Sequence, residues 1–251
     1  MPGLSDALRD LSWGRSSALG YELEAGLELS ASGNFPDGIR LISVLDEEYP
    51  RNLKVCKQRP AGLYVQGLIL PADERAVAVV GTRSPSPEGL ARARRLGWVL
   101  GRSGVTVVSG LARGVDAAAH EGCLRAGGRT LAVLGNGLSH FYPPENEALQ
   151  CGIASQGAVI SQFAPDQKAT RWSFPLRNRV IAGLARFSVA VECSEASGTL
   201  IELKAALALG RAVLLLESLV ESQPWARHWV ETGKASVLSS EQQLLELVTA
   251  G

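Results

Sequence analysis

The sequence has no net charge, few aromatic side chains and no recognisable metal-ligand spacing. Its 25 lysines and arginines are balanced by 25 acids, which argues against a protein coated in basic residues for duplex DNA. The four cysteines, Cys56, Cys123, Cys151 and Cys193, form no C-x-x-C pair, and His120, His140 and His228 are scattered. Reduced core thiols and no bound metal are the expectation. Apolar runs such as "AVLLLE" at 212–217 are far too short to cross a bilayer. The opening "MPGLSDALRD" lacks the charged start and apolar run of a signal peptide, so a cytoplasmic address with no membrane partner is expected. Neither a G-x-G-x-x-G fingerprint nor a G-x-x-x-x-G-K-[ST] loop occurs, which disfavours NAD binding and ATP hydrolysis, and no cofactor is expected.

What the sequence does have is core-forming material: 46% of the 251 residues are hydrophobic, ample for a folded α/β protein of one large or two small domains. From residue 76 onward, short β-branched runs alternate with helical stretches. "AVAVVG" (76–81), "VTVVSG" (105–110), "TLAVLG" (130–135), "AVISQF" (158–163), "SVAVEC" (188–193), "AVLLLE" (212–217) and "ASVL" (235–238) are nearly continuous in apolar character. That is the pattern of strands covered on both faces. Alternation with helices predicts βαβ units and a doubly wound, mostly parallel, Rossmann-like sheet. Ser84-Pro85 and Ser86-Pro87 are two candidate starts for the first helix, each a serine cap followed by proline. Residues 71–251 are expected to form this core. Residues 1–70 form an N-terminal extension or sheet-edge subdomain, with a helix hinted by Leu4, Leu8 and Leu11 and strands at "IRLISVL" and "GLYVQG".

In open parallel sheets, ligands bind beyond the carboxyl ends of the strands. The loops there are rich in small residues: Gly81-Thr82-Arg83, Ser109-Gly110 through Arg113-Gly114, Gly135-Asn136-Gly137, and Ser197-Gly198-Thr199. One glycine turn is ordinary α/β geometry. Four such loops on one edge, two with arginine, point to an anion site served by backbone amides and guanidinium groups. Residues 170–187, "TRWSFPLRNRVIAGLARF", add four arginines and no acid beside Trp172 and Phe174. Most charge clusters are solvated helix faces. This one suits a ligand that is anionic and carries flat rings. Asp116 and His120, four apart, share a helix face; a helix-start acid and a packed histidine account for them without catalysis.

The segments "VAVVGTRSPSPEGLARARRL", "SGLARGVDAAAH", "YPPEN" and "FPLRNRVIAGL", in order between about residues 39 and 211, strongly resemble the DNA-processing protein A family, also called DprA or Smf. The resemblance implies a Rossmann-like core that binds single-stranded DNA, forms a homodimer and passes the strand to the RecA recombinase during natural transformation, without enzymatic activity. The chain departs from some members in leaving no room for their N-terminal helix-hairpin-helix-like domain or C-terminal winged-helix domain, so a core without either is expected. Carried onto matching positions, the family's DNA pocket comprises Gly81, Thr82 and Arg83 with Arg171, Phe174, Arg177, Asn178 and Arg179. Ser109, Gly110, Arg113, Gly114, Ser197, Gly198 and Thr199 line the same pocket. Trp172 and Arg186 are expected to be scaffold. An alternative rests on "EASGTLIELKAALALG" (195–210), which resembles the glycine-threonine-to-glutamate segment of cytokinin-activating phosphoribohydrolases. In that reading Glu202 is catalytic; a small-nucleotide sensor in the same pocket is a third.

Overall fold

The computed structural model describes residue 35 and residues 38–250; the helix expected from Leu4, Leu8 and Leu11 lies outside them. Continuous apolar runs become strands with both faces covered. Among the described residues the strands are β1 (Ile39–Ser43), β2 (Gly62–Gly67), β3 (Val77–Val80), β4 (Val107–Ser109), β5 (Thr130–Val133), β6 (Ala158–Ser161), β7 (Phe187–Ala190), β8 (Ala212–Leu216) and β9 (Ser236–Leu238). They form one sheet in the order β1-β2-β6-β5-β4-β3-β7-β8-β9. From β6 to β9 every pairing is parallel, whereas β1 and β2 add an antiparallel edge beside β6. This is the doubly wound, Rossmann-like α/β architecture that the alternating pattern predicts.

Adjacent side chains on each strand feed opposite layers. Ala78 and Val80 pack with Val180, Ile181 and Leu184 of α5 (Ser173–Leu184) and with Leu200 and Leu203 of α6 (Gly198–Ala208). Val77 and Val79 pack on the other face, against Ala93, Leu96 and Leu100 of α2 (Pro87–Arg102) and Ala118 and Ala119 of α3 (Val115–Arg125). The other α-helices among the described residues are α1 (Arg51–Lys54), α4 (Glu147–Gln156), α7 (Glu217–Ser222), α8 (Pro224–Glu231) and α9 (Glu241–Thr249). Helices α2 and α3 lie close enough that a Cβ on Gly97 would fall 2.0 Å from the Ala119 carbonyl oxygen. None of these helices is long and apolar enough to span a membrane.

The structure settles the first helix start. Ser86 is the cap and Pro87 the first helical residue, so Ser84-Pro85 stays in the loop. Ser86 Oγ accepts from Gly89 N at 3.0 Å and donates to Glu192 Oε2 at 2.7 Å, while Ser86 N donates to Glu192 Oε1. One serine therefore caps α2 and fastens the loop after β3 to the loop after β7. Ser86→Ala should lower stability by about 1–2 kcal/mol, the usual cost of a lost cap plus a lost charged partner. A urea denaturation midpoint unchanged from wild type would contradict this. The stretch "SLVESQPWARHW" forms α7 and α8, which composition does not announce. Trp225 and Trp229 are buried there with ring centroids 5.3 Å apart, edge to face.

Candidate nucleic-acid interface

The sheet order reverses between β3 and β7: β4, β5 and β6 follow on one side, β8 and β9 on the other. At such a switch point the loops leaving the two strands diverge and open a crevice. Here Thr82 N bonds to the Glu192 carbonyl at 2.7 Å, and Val115 N to the Thr82 carbonyl at 3.2 Å. Three strand-end loops are thereby held together, and α5 closes the fourth side with Phe174 and Arg177 from its first turns.

Arg177 has only 5% of its surface exposed. Its Nη1 donates to the carbonyls of Gly110 at the end of β4 and Val133 in β5, the latter at 2.8 Å. Its Nε donates to Asn178 Oδ1 at 3.0 Å, and Asn178 Nδ2 reaches the Gly198 carbonyl at 3.3 Å. Burial lowers the Arg177 pKa to about 10, opposed by the nearby Asp116 carboxylate and helped by Arg83; it stays a cation at neutral pH. Two guanidinium groups stand near the Phe174 ring, Arg83 5.2 Å and Arg177 5.7 Å from its centroid. The quadrupole of the ring offsets part of the repulsion between these cations. Tyr142 stands 5.8 Å away, and a Cβ on Gly135 would meet Phe174 Cδ1 at 2.7 Å, so glycine is what lets the ring sit over β5.

The crevice has two parts divided by Arg83, Phe174 and Arg177. The mouth, about 110 Å3, runs along Gly110, Arg113, Gly135 and Tyr142. A second, larger chamber of about 430 Å3 is walled by Gly81, Thr82, Asp116, Asn178, Ser197, Gly198, Thr199 and Glu202. Ser197 caps α6, its Oγ accepting from Thr199 N at 3.1 Å. Arg113 is exposed and paired with Glu145 on the opposite loop, which holds its head at the mouth.

Most of the expected site residues converge on this crevice: Gly81, Thr82, Arg83, Gly110, Arg113, Phe174, Arg177, Asn178, Ser197, Gly198 and Thr199. Ser109 lies beneath the loop, fully buried, donating to the Val79 carbonyl at 2.7 Å. Gly114 serves the backbone: its φ is +77°, and a Cβ there would fall 2.5 Å from the Thr82 carbonyl oxygen. Arg171 is exposed just before α5, its guanidinium 4.6 Å from the Trp172 ring centroid. Arg179 goes elsewhere. Two residues past Arg177, it is turned about 200° around the helix and lines a separate groove with Leu53, Cys56 and Arg211. Trp172, expected to be scaffold, is 52% exposed, because it precedes the helix and no core element covers it. Arg186 is partly buried before β7, its backbone N bonded to the Ala76 carbonyl. Sequence reasoning missed Tyr142, exposed at the mouth, and its exposed neighbour Phe141; the signal was an aromatic pair before Pro143-Pro144 in a strand-end loop.

A family model described as DNA recombination-mediator protein A matches residues 40–249. Protein Smf of Synechocystis is 40% identical over 206 residues, covering 80% of this chain and 52% of that relative; the chain thus spans about half of its length. The DNA processing protein A of Streptococcus pneumoniae has a similar structure, with a TM-score of 0.73 and 32% identity over 89% of this chain and 77% of that one. The Helicobacter pylori DNA processing protein A, whose single-stranded DNA binding mode is described structurally, shares the fold at a TM-score of 0.74. Its identity is 24%, over 84% of this chain and 96% of that one.

Proposed function

The chain belongs to the DNA recombination-mediator protein A family, and on that premise we propose that it binds single-stranded DNA in the crevice at the β3/β7 switch point. The observation that carries this reading is the cluster of Arg83, Phe174 and Arg177 with Tyr142 beside it, together with the exposed Arg171 and Trp172 just before α5. Single strands are held by cations along the phosphates and by aromatic faces under the bases, each stacked base contributing about 1–3 kcal/mol whatever its identity. A local cluster of this kind suffices in a neutral chain. The expected site residues Arg171, Arg83 and Arg113 serve the phosphates, while Trp172 and Tyr142 offer open ring faces. Binding of single-stranded DNA by the Helicobacter pylori protein is in keeping with this reading.

The wider role we propose is that of a cytoplasmic, homodimeric binding protein, not an enzyme, that protects incoming single strands and loads the RecA recombinase on them. Dimerisation adds avidity along one strand. Fluorescence anisotropy should show single-stranded oligonucleotides binding at least about tenfold more tightly than the duplex of the same sequence, with affinity falling steeply as salt rises. Equal affinity for the two would refute the site. RecA loading is tested by pull-down and strand exchange; no stimulation in either assay would remove that part.

A second reading has one observation behind it, the buried Glu202 in the wall of the larger chamber. If it is catalytic, free base appears from a nucleoside monophosphate and Glu202→Gln abolishes its release. A binding protein releases none.

A further inference from the structure

Helix α2 carries a ring and cations that the crevice does not use. Arg92, Arg95, Trp98 and Arg102 follow one another at steps of three or four residues, which places them on one face of the helix. Each of them is exposed. Trp98 keeps 38% of its surface open, although a side chain of that size is mostly covered in folded proteins. The Arg95 guanidinium lies 4.6 Å from the Trp98 ring centroid and that of Arg102 5.9 Å. Arg95 is pinned in place by Glu241 of α9, which accepts from its Nε at 2.7 Å and its Nη2 at 2.9 Å.

An ordinary solvated helix face pairs its charges and carries no large ring. Arg94, on another side of α2, behaves in that way and pairs with Glu121 of α3 at 3.1 Å. Arg92 and Arg102 have no acidic partner among the described residues. Glu88, exposed one turn before Arg92, is the acid that faces them from their own helix. The face therefore offers two uncommitted cations, one on each side of an indole that already holds a fixed guanidinium.

Position joins this face to the crevice. Arg83 lines the crevice, and α2 starts just after it at Pro87. At about 1.5 Å per residue, Arg92 lies about 8 Å, Trp98 about 16 Å and Arg102 about 22 Å down the helix from there.

We propose that this face of α2 is a second contact surface for single-stranded DNA, taking the part of the strand that leaves the crevice past Arg83. It rests on the DNA-binding reading above and goes beyond it. Arg92 and Arg102 hold phosphates, and a base lies against the plate made by Trp98 and Arg95. Cations along the backbone and flat rings under the bases are what hold a single strand, whatever its sequence. The ring favours a ligand that brings flat bases as well as negative charge, which an acidic peptide does not.

The test uses fluorescence anisotropy with two oligothymidylates, of about 6 and about 25 nucleotides, near the lower end and beyond the upper end of the roughly 4–16 nucleotides that single-strand sites cover. Salt is kept at about 0.15 M, where charges more than about 8 Å apart are largely screened. Each variant is compared with wild type at the same length, so the extra registers of the long strand cancel. Trp98→Ala, and Arg92→Glu combined with Arg102→Glu, should each weaken long-strand binding about five- to tenfold and leave the short strand within about twofold. Arg83→Ala should weaken both lengths. The replaced side chains on α2 are exposed, and circular dichroism melts check that the variants fold. Unchanged long-strand affinity in both α2 variants overturns the inference and leaves the face to a protein partner. Equal weakening of both lengths in Trp98→Ala also overturns it, because the ring would then act through the fold. Wild-type affinity at both lengths in Arg83→Ala would instead count against the crevice reading itself.

Discussion

Replacing Arg177 with methionine should destabilise the protein by about 3–5 kcal/mol, before any effect on ligand binding is considered. The side chain is buried, bridges the carbonyls of Gly110 and Val133, and provides the positive charge beside Asp116 and Glu202. Methionine fills much of the volume but leaves two carbonyls short of a donor and removes the cation beside the buried Asp116. Removing one partner of a buried charged cluster costs in this range. For a chain of this size, that corresponds to a melting temperature lower by roughly 10 °C. Arg177→Lys should recover part of the loss, because an ammonium keeps the charge but not the planar fork that spans two strand ends. A methionine variant melting within about 2 °C of wild type would show that Arg177 is a surface-like contact. Loss of DNA binding in that variant is therefore poor evidence for a direct contact, and Arg83 is the residue to test.

Stability should fall as pH rises from about 6.5 to 8, and Glu202→Gln should abolish the fall. Burial pushes the Glu202 carboxyl up to about 8, with Asp116 adding to the rise and Ser188 and Arg177 opposing it. In the unfolded chain it ionises near the ordinary value of 4.5. Between those values the native state holds a proton that the unfolded state has released, so stability decreases with pH. His120 acts in the opposite sense below neutrality. Burial, reinforced by Arg177, lowers its pKa from 6.5 to about 3, so folding excludes a proton and stability rises with pH through that window. From 4.5 to 6.5 the two slopes oppose each other; above 6.5 the His120 slope is spent and that of Glu202 remains. At about 1.4 kcal/mol per pKa unit, the Glu202 contribution between 6.5 and 8 is on the order of 2 kcal/mol. Melting temperatures of wild type and Glu202→Gln across this range are the check. Parallel profiles would mean that Glu202 is already ionised when folded.

How much of this was legible in the sequence depended on whether a residue's neighbours come from its own element. The core strands could be read because apolar runs such as "AVAVV" need cover on both faces, and a doubly wound sheet gives them that cover. Ser86-Pro87 was legible as a helix start but not separable from Ser84-Pro85, since the choice is made by Glu192, 106 residues away. The strand-end glycines mark the edge of the sheet where the crevice opens. The arginines were harder. Arg177 and Arg179 look alike in "RNR", yet the helix turns one onto the carbonyls of β4 and β5 and the other into a different groove. Nothing local distinguishes them. Trp172 and Tyr142 were underweighted because aromatic residues are usually core, and only the tertiary structure shows that nothing covers these two. The helices α7 and α8 were hidden by Pro224, which starts α8 but reads as a loop residue.

The account stands or falls on which arginine matters. Affinity for a fluorescent, unstructured single-stranded oligonucleotide should be measured across a salt series for wild type, Arg83→Ala and Arg179→Ala. Loss of a phosphate contact should weaken Arg83→Ala binding by about tenfold or more and flatten its salt dependence by roughly 0.7 per lost contact. Arg179→Ala, altered on the far side of α5, should match wild type. The opposite pattern, with Arg179→Ala impaired and Arg83→Ala unaffected, would place the strand in the groove between α1, α5 and α6 and contradict the site described here.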